Sequence, residues 1–248
     1  MFIHSSPLSN SGRQYYSASA LVTLVTAVLF CLGYEYHWDR LYAQFPYYRL
    51  QVEALLQGRL SLSSSIEQID HGLTWYNGQL NQVWGLGVAL WTVPFELIGR
   101  SFGSSPCPER IPLLVAVALV AWYVSRGGVA IARALRSRTM GLSFVYIVLL
   151  YPPLWTLIMG PRVIFEQTIF YACLVSTALL VATVRFLLLG RRTDFFIVCL
   201  LAGLSGLVRV THGIYGVSAA VICGGAMLGS ALSFPKNGKP ACDWARMR

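Results

Sequence analysis

Charge is scarce in this chain, and acidic charge is the scarcest. Charged residues make up 12% of the sequence, against about 25% in a typical soluble domain. Only ten of the 248 residues are acidic, whereas 56% are hydrophobic. This composition excludes an ordinary soluble domain and indicates a protein that resides in a membrane.

Lysine is nearly absent as well. The formal net charge of +9 is carried by arginine, because the sequence contains just two lysines, Lys236 and Lys239. The arginines stand at the ends of apolar runs instead of forming one basic stripe. That pattern is typical of membrane orientation signals, so no nucleic-acid partner is expected.

Clustered ligands for metals are also missing from the sequence. The six cysteines form no CxxC pair and no cluster with histidine, so neither a disulfide frame nor a zinc site is predicted. Gly85-Leu86-Gly87 lacks a preceding strand and a further glycine, which excludes a phosphate-binding loop. No cofactor is indicated, and the need for a divalent metal stays open.

Long apolar runs dominate what is present. A helix that crosses about 30 Å of hydrocarbon needs about 20 mainly apolar residues. One apolar run, at 83–98, is interrupted by Pro94 and Glu96. We predict an all-α membrane protein with about six to seven transmembrane helices, organised as a single membrane domain over residues 1–248. The first run predicts an uncleaved span. The uninterrupted runs are 18–34, 111–125, 140–159, 164–189, 194–207 and 213–232.

One large polar loop, 35–82, follows the first run and holds half of all the acidic residues. Apolar residues between Tyr47 and Leu56 recur at helical spacing, which predicts an amphipathic helix on the membrane surface that ends at Gly58. Further on, Asn77-Gly78 predicts a hairpin turn. We therefore expect any chemistry to lie in or beside this loop.

The arginines allow two topologies. If the N-terminus is cytoplasmic and the interrupted run enters the membrane without crossing, the arginines at 126–138 and 191–192 and the short C-terminal tail 233–248 all fall inside. An inverted chain in which that run crosses satisfies the same arginines but puts the loop inside. The first topology is favoured, and it makes the loop external.

An acidic residue close to the first run is the main catalytic candidate. Asp39 is positioned to accept a proton from a hydroxyl, or to hold a cation near a phosphate. The alternative is that Asp39 pairs with Arg40 among aromatic residues that anchor the chain at the interface. Composition alone favours this structural interpretation.

Further polar residues fall on the same side in the favoured topology. Arg162 and Glu166 either pair as helical neighbours or face a cavity. Arg209, between two apolar runs, is placed either to meet a lipid-linked phosphate or to reach lipid headgroups. His212 is more often a structural hydrogen-bonding residue than a ligand.

Four stretches carry a likeness to a known family. They are 46–60, Tyr76-Asn77-Gly78-Gln79 continuing to Pro94-Phe95, 160–166, and Ala202-Gly203-Leu204 with Arg209-Val210-Thr211. Together they resemble the GT-C class of multi-pass membrane glycosyltransferases, in particular the bacterial relatives of protein O-mannosyltransferases and aminoarabinose transferases.

The resemblance implies an activity and a set of site residues. A sugar would move from a polyprenyl-phosphate donor to a lipid, glycan or protein acceptor at the outer face of the bacterial inner membrane. The expected partners are therefore membrane lipid and a lipid-linked sugar. Asp39 best matches the catalytic base of the class, with Glu35 as its rival. The substrate-binding candidates are Arg162, Glu166, Arg209, His212 and Tyr76.

Other functions stay open at this point. A non-catalytic membrane subunit, a transporter and a truncated glycosyltransferase that keeps only the N-terminal portion are the alternatives. Transporters commonly contain interrupted helices in two related halves. The sequence has a single interrupted run and no second half, which disfavours a transporter. The tail at 233–248 is expected to be cytoplasmic, or to mark the truncation.

Overall fold

A computed structural model describes residues 10–33, 47–62, 73–103, 107–149 and 164–232. Within these residues the chain is mostly helical, with one short two-stranded sheet. The helices are α1 (Asn10–Gly33), α2 (Tyr47–Leu56), α3 (Gly87–Ser101), α4 (Arg110–Ala134), α5 (Arg138–Leu149), α6 (Ile164–Leu189), α7 (Arg192–Val208) and α8 (Val210–Leu232), and the strands are β1 (Leu73–Tyr76) and β2 (Gln79–Gln82).

The two local elements predicted within the polar loop are confirmed. The surface helix α2 is followed by Gly58, whose φ of 72° ends the helix in the left-handed conformation that glycine favours. Asn77 and Gly78 have φ values of 51° and 70°, as a type I′ turn requires. They join β1 to β2 in an antiparallel hairpin in which Tyr76 pairs with Gln79.

Three of the described helices are long and apolar enough to cross a membrane: Arg110–Ala134, Gln167–Leu189 and Val210–Gly229. A shorter apolar helix, Arg138–Leu149, overlaps the first half of the predicted run at 140–159. The structure therefore supports a helical protein with membrane-spanning segments.

Helices α4 and α6 form the centre of the bundle and run in the same direction. A Cβ placed on Gly127 of α4 would lie 2.7 Å from Val181 Cγ1 of α6, while near the start of α4 the charge of Arg110 acts on Tyr171 of α6. Helix α5 lies between them in sequence and returns the chain along α4. Gly128 and Gly141 face each other where α4 and α5 cross, with Tyr15 of α1 beside them.

Helices α7 and α8 extend the bundle on the other side of α6. A tight turn reverses the chain, so that Arg185 Nη2 of α6 lies 2.9 Å from Asp194 Oδ1 of α7. Helix α8 then packs back along α7, with Gly216 close to the Ala202 carbonyl. Helices α4, α6 and α8 thus begin at one end of the bundle, which we call the loop end.

Helix α3, formed by the interrupted run, begins and ends at the loop end. Its first residue, Gly87, lies against Val208 at the end of α7. Near its other end, Arg100 pairs with Glu53 of α2, and the Glu96 Oε2 atom accepts a hydrogen bond of 2.7 Å from the Cys107 amide just before α4. The helix therefore lies across the end of the bundle.

The opposite end of the bundle, which we call the arginine end, carries the turns between α4 and α5 and between α6 and α7. Arginine is the commonest charged residue at both turns. The group comprises Arg133, Arg136, Arg138, Arg191 and Arg192. Positive charge is therefore concentrated at the arginine end.

Candidate functional site

An apolar groove of about 760 Å³ opens between helices α3, α4, α6 and α7. Aliphatic side chains of α4, α6 and α7 make most of its wall, and Trp91, Trp122, Tyr123 and Tyr171 supply its aromatic surfaces. A volume of this order is within the range of about 300–1,000 Å³ that is usual for binding pockets. The lining suits a hydrocarbon chain.

The groove reaches the loop end at Gly87, Tyr171 and Val208. Here the segment before α3 lies directly on the end of α7: a Cβ on Gly85 would come within 1.9 Å of the Leu207 carbonyl oxygen. Only glycine allows such an approach of two backbones. The Gly85-Leu86-Gly87 sequence thus serves close packing beside the groove.

Arg209 is the residue that immediately follows the groove-lining Val208. It separates α7 from α8 with an extended backbone, φ −154° and ψ 124°, and its amide donates to the Ser205 carbonyl at 3.0 Å. Its side chain is half-buried, and its positive charge is felt at Tyr48 of the surface helix. The cation between two apolar runs therefore directly follows the last residue of the groove wall.

The surface helix is held over this end of the bundle by a buried hydroxyl pair. Tyr48 of α2 and Thr168 of α6 share a hydrogen bond between their hydroxyl groups. Burial raises the pKa of Tyr48 to about 12, although the hydrogen bond and the nearby Arg209 charge act in the opposite direction. Tyr48 therefore stays protonated at neutral pH and does not provide a general base.

His212 lies one turn beyond Arg209, at the start of α8. Its Nδ1 atom is 2.8 Å from Ser176 Oγ of α6, and its ring meets Tyr215 edge to face with 5.5 Å between ring centroids. The hydrogen bond joins α8 to α6, while the ring contact lies within α8. The geometry of His212 therefore favours a structural role as a hydrogen-bonding residue.

The other predicted site residues are distributed differently. Tyr76 occupies the tip of the hairpin with 69% of its surface exposed. Glu166 belongs to the first turn of α6, at the loop end, but its side chain lies outside the described residues. Glu35, Asp39 and Arg162 also lie outside them, so the predicted catalytic carboxylates stay a prediction.

Buried charge at the start of α4 is a feature that sequence reasoning missed. Glu109 and Arg110 are 5% and 7% exposed, and the charges of both act on Tyr171, which lines the groove. The sequence signal was a pair of opposite charges placed directly before an apolar run. Buried polar groups of α2, α6 and the start of α4 therefore pack at the loop end, near the groove-lining Tyr171.

Among the residues that the structure describes, no three His, Cys, Asp or Glu side chains gather as a metal site would require. Comparison with models of known protein families, with curated proteins and with solved structures returned no match for the chain.

Proposed function

We propose that this protein binds a polyprenyl-phosphate-linked sugar and transfers the sugar to a hydroxyl of a lipid, glycan or protein at the outer face of the membrane. The observation that carries the proposal is the position of Arg209 directly after Val208, which lines the groove at its loop end. A guanidinium group binds phosphate through charge-assisted hydrogen bonds, and the groove takes a hydrocarbon chain. The two together match an anionic lipid.

The proposal includes an orientation in the membrane. We place the arginine end in the cytoplasm, since positively charged loops favour that side, and the loop end outside. In this arrangement α1 and α4 to α8 cross the bilayer, and α3 enters it without crossing. A bacterial inner membrane is the location that fits this arrangement and the proposed donor.

Orientation is tested by labelling engineered cysteines in intact cells. Leu60→Cys, after the surface helix, and Leu135→Cys, in the turn after α4, replace two exposed leucines at opposite ends of the bundle. A membrane-impermeant maleimide is expected to label Leu60→Cys before lysis and Leu135→Cys after lysis alone. The reverse result would invert the orientation and remove the outer-face activity.

Binding of the lipid is tested on the 248-residue chain in nanodiscs. Polyprenyl phosphate is expected to bind wild-type protein, and Arg209→Ala is expected to weaken that binding at least tenfold, which is about 1.4 kcal/mol. Arg133→Ala, which removes an arginine at the other end of the bundle, is the matched control and is expected to leave binding unchanged. Equal affinities for wild type and Arg209→Ala would remove the phosphate role of Arg209.

Catalysis is tested separately, because the proposed base is a different residue. Asp39→Asn is expected to abolish sugar transfer while polyprenyl phosphate still binds. The transfer activity of Glu35→Gln then decides which of the two carboxylates is the base. Full transfer activity in Asp39→Asn would exclude Asp39 as the base.

A non-catalytic subunit that binds an anionic lipid is the second candidate, because the groove and Arg209 serve such a protein equally well. It predicts lipid binding that depends on Arg209, without transfer by the wild-type protein. The binding and transfer assays therefore separate the two functions.

A further inference from the structure

Two side-chain amides, one on the surface helix and one at the end of the hairpin, have buried atoms without the hydrogen-bond partners that they need. Gln51 of α2 is 0% exposed; its Nε2 atom donates to the Leu60 carbonyl at 2.8 Å, but its Oε1 atom has no partner. Both amide atoms of Gln82, at the end of β2, are buried and unpartnered in the part of the chain that the structure describes. Buried polar atoms in proteins are almost always paired with protein, water or ligand.

The two elements that carry these amides both contact the same short segment, Leu60 to Leu62. Gln51 contacts it through the Leu60 carbonyl. The hairpin contacts it through a backbone hydrogen bond of 2.8 Å from the Leu62 amide to the Leu80 carbonyl. Leu80 is buried, and residues two apart on a strand project to one face, so Gln82 is directed inward with it. The helix and the strand that carry the unpaired amide atoms are thus joined through one segment.

We propose that Gln51 and Gln82 bind the hydroxyl groups of a neutral sugar. The unpaired atoms comprise two acceptors and one donor, and a hydroxyl group can satisfy either kind because it both donates and accepts. The groups are uncharged amides, so they suit a neutral carbohydrate better than an ionic ligand.

The position of this pair connects it to the proposed phosphate site. Gln82 is three residues before Gly85, which packs on the Leu207 carbonyl, and Arg209 follows two residues after Leu207. The short linkage brings the end of the hairpin close to the groove mouth. A sugar attached to a phosphate at Arg209 would therefore lie toward the hairpin, and in this sense the inference rests on the proposed function.

The test compares a polyprenyl phosphate with and without a hexose, on the 248-residue chain in nanodiscs. Glucose, mannose and galactose are each used as the hexose. Gln82→Leu is the principal variant, because its amide makes no hydrogen bond that the substitution would break. Gln79→Leu removes an exposed amide from the same strand and is the matched control, while Gln51→Leu tests the second amide.

Gln82→Leu is expected to weaken binding of at least one hexose-bearing lipid by tenfold or more, with no change for the bare lipid. Its melting temperature is expected to equal or exceed that of wild type, since removing an unpaired buried polar group costs no contact. Gln79→Leu is expected to match wild type in both measurements.

Two results would overturn the inference while leaving the proposed function intact. One is wild-type affinity of Gln82→Leu for all three hexose-bearing lipids when the bare lipid still binds. The other is a lowered melting temperature in Gln82→Leu with unchanged affinity for the hexose-bearing lipids. That result would show that the Gln82 amide binds a structural water molecule and no sugar. If wild-type protein binds neither form of the lipid, the inference fails together with the proposed function.

Discussion

Replacing Gly85 with alanine tests the close backbone contact that brings the hairpin to the groove. The new Cβ would lie 1.9 Å from the Leu207 carbonyl oxygen and 2.7 Å from the Val208 carbonyl oxygen. Neither atom belongs to a flexible side chain, so the backbone before α3 must move away from the end of α7. We expect the contact between the hairpin segment and the Arg209 junction to open.

The expected magnitude follows from the cost of overpacking. Inserting a methyl group into a tightly packed region costs about 1–3 kcal/mol. Because two backbone oxygens lie too close to the added methyl group, we expect Gly85→Ala to lower the free energy of unfolding by about 3 kcal/mol. For a chain of this size, that loss lowers the melting temperature by about 10 °C. Polyprenyl phosphate binding is expected to weaken in parallel, because Arg209 follows the displaced residues.

The assay is thermal unfolding of purified protein in nanodiscs, with and without polyprenyl phosphate. Gly203→Ala is the matched control, because this glycine lies within α7 and nothing stands within 4 Å of its added Cβ. Alanine is the better helix former, so this control is expected to gain about 0.5–1 kcal/mol. A Gly85→Ala variant that melts at the wild-type temperature would refute the backbone contact.

Three further predictions concern the buried polar contacts. Tyr48→Phe removes the hydrogen bond to Thr168 and is expected to lower the free energy of unfolding by about 1 kcal/mol. Since burial raises the pKa of Tyr48 from 10.0 to about 12, wild type keeps its full stability below pH 10 and loses part of it between pH 10 and pH 12, a loss that the variant lacks. Asp194→Ala leaves the buried Arg185 unpaired and is expected to cost about 3–5 kcal/mol, whereas replacing both residues with leucine costs less; thermal unfolding measures both. Cys107 is buried with Glu96 and Glu109 nearby, and because these raise its pKa, a maleimide is expected to react slowly with it at pH 8 and quickly after denaturation.

Each of these predictions has an opposing result. An alkaline loss of stability that is identical in wild type and Tyr48→Phe would assign that loss to other groups. A double leucine variant less stable than Asp194→Ala would show that the ion pair contributes net stability. Rapid labelling of Cys107 in folded protein would contradict its burial against the Glu96 carboxylate.

Local features of the loop were predictable from the sequence because local residues determine them. The surface helix follows from apolar spacing that ends at Gly58, and the hairpin follows from Asn77-Gly78, whose residues tolerate positive φ. The apolar runs likewise located α6 at its observed bounds and α8 within a few residues. For these elements, composition and periodicity are sufficient to predict where the helix or turn lies.

The long-range arrangement was not predictable in the same way. The parallel pairing of α4 with α6 and the contact between Tyr48 and Thr168 join residues far apart in sequence, and neither leaves a local pattern. Gly85 also illustrates this point, because its importance comes from the carbonyl of Leu207 that lies against it. For Arg209, the sequence predicted a cation between two apolar runs, but its position beside a groove needed the packing of four helices.

The Tyr48–Thr168 contact also has a consequence for how the protein is made. The two residues are separated by 120 positions, so a ribosome working at about 5–20 residues per second delivers Thr168 on the order of ten seconds after Tyr48. During that interval the inward face of the surface helix has no sixth helix to cover it. The packing of this helix is therefore completed late in biogenesis, and a nascent chain halted before residue 164 would leave the part of that face that meets α6 open to insertion factors and chaperones.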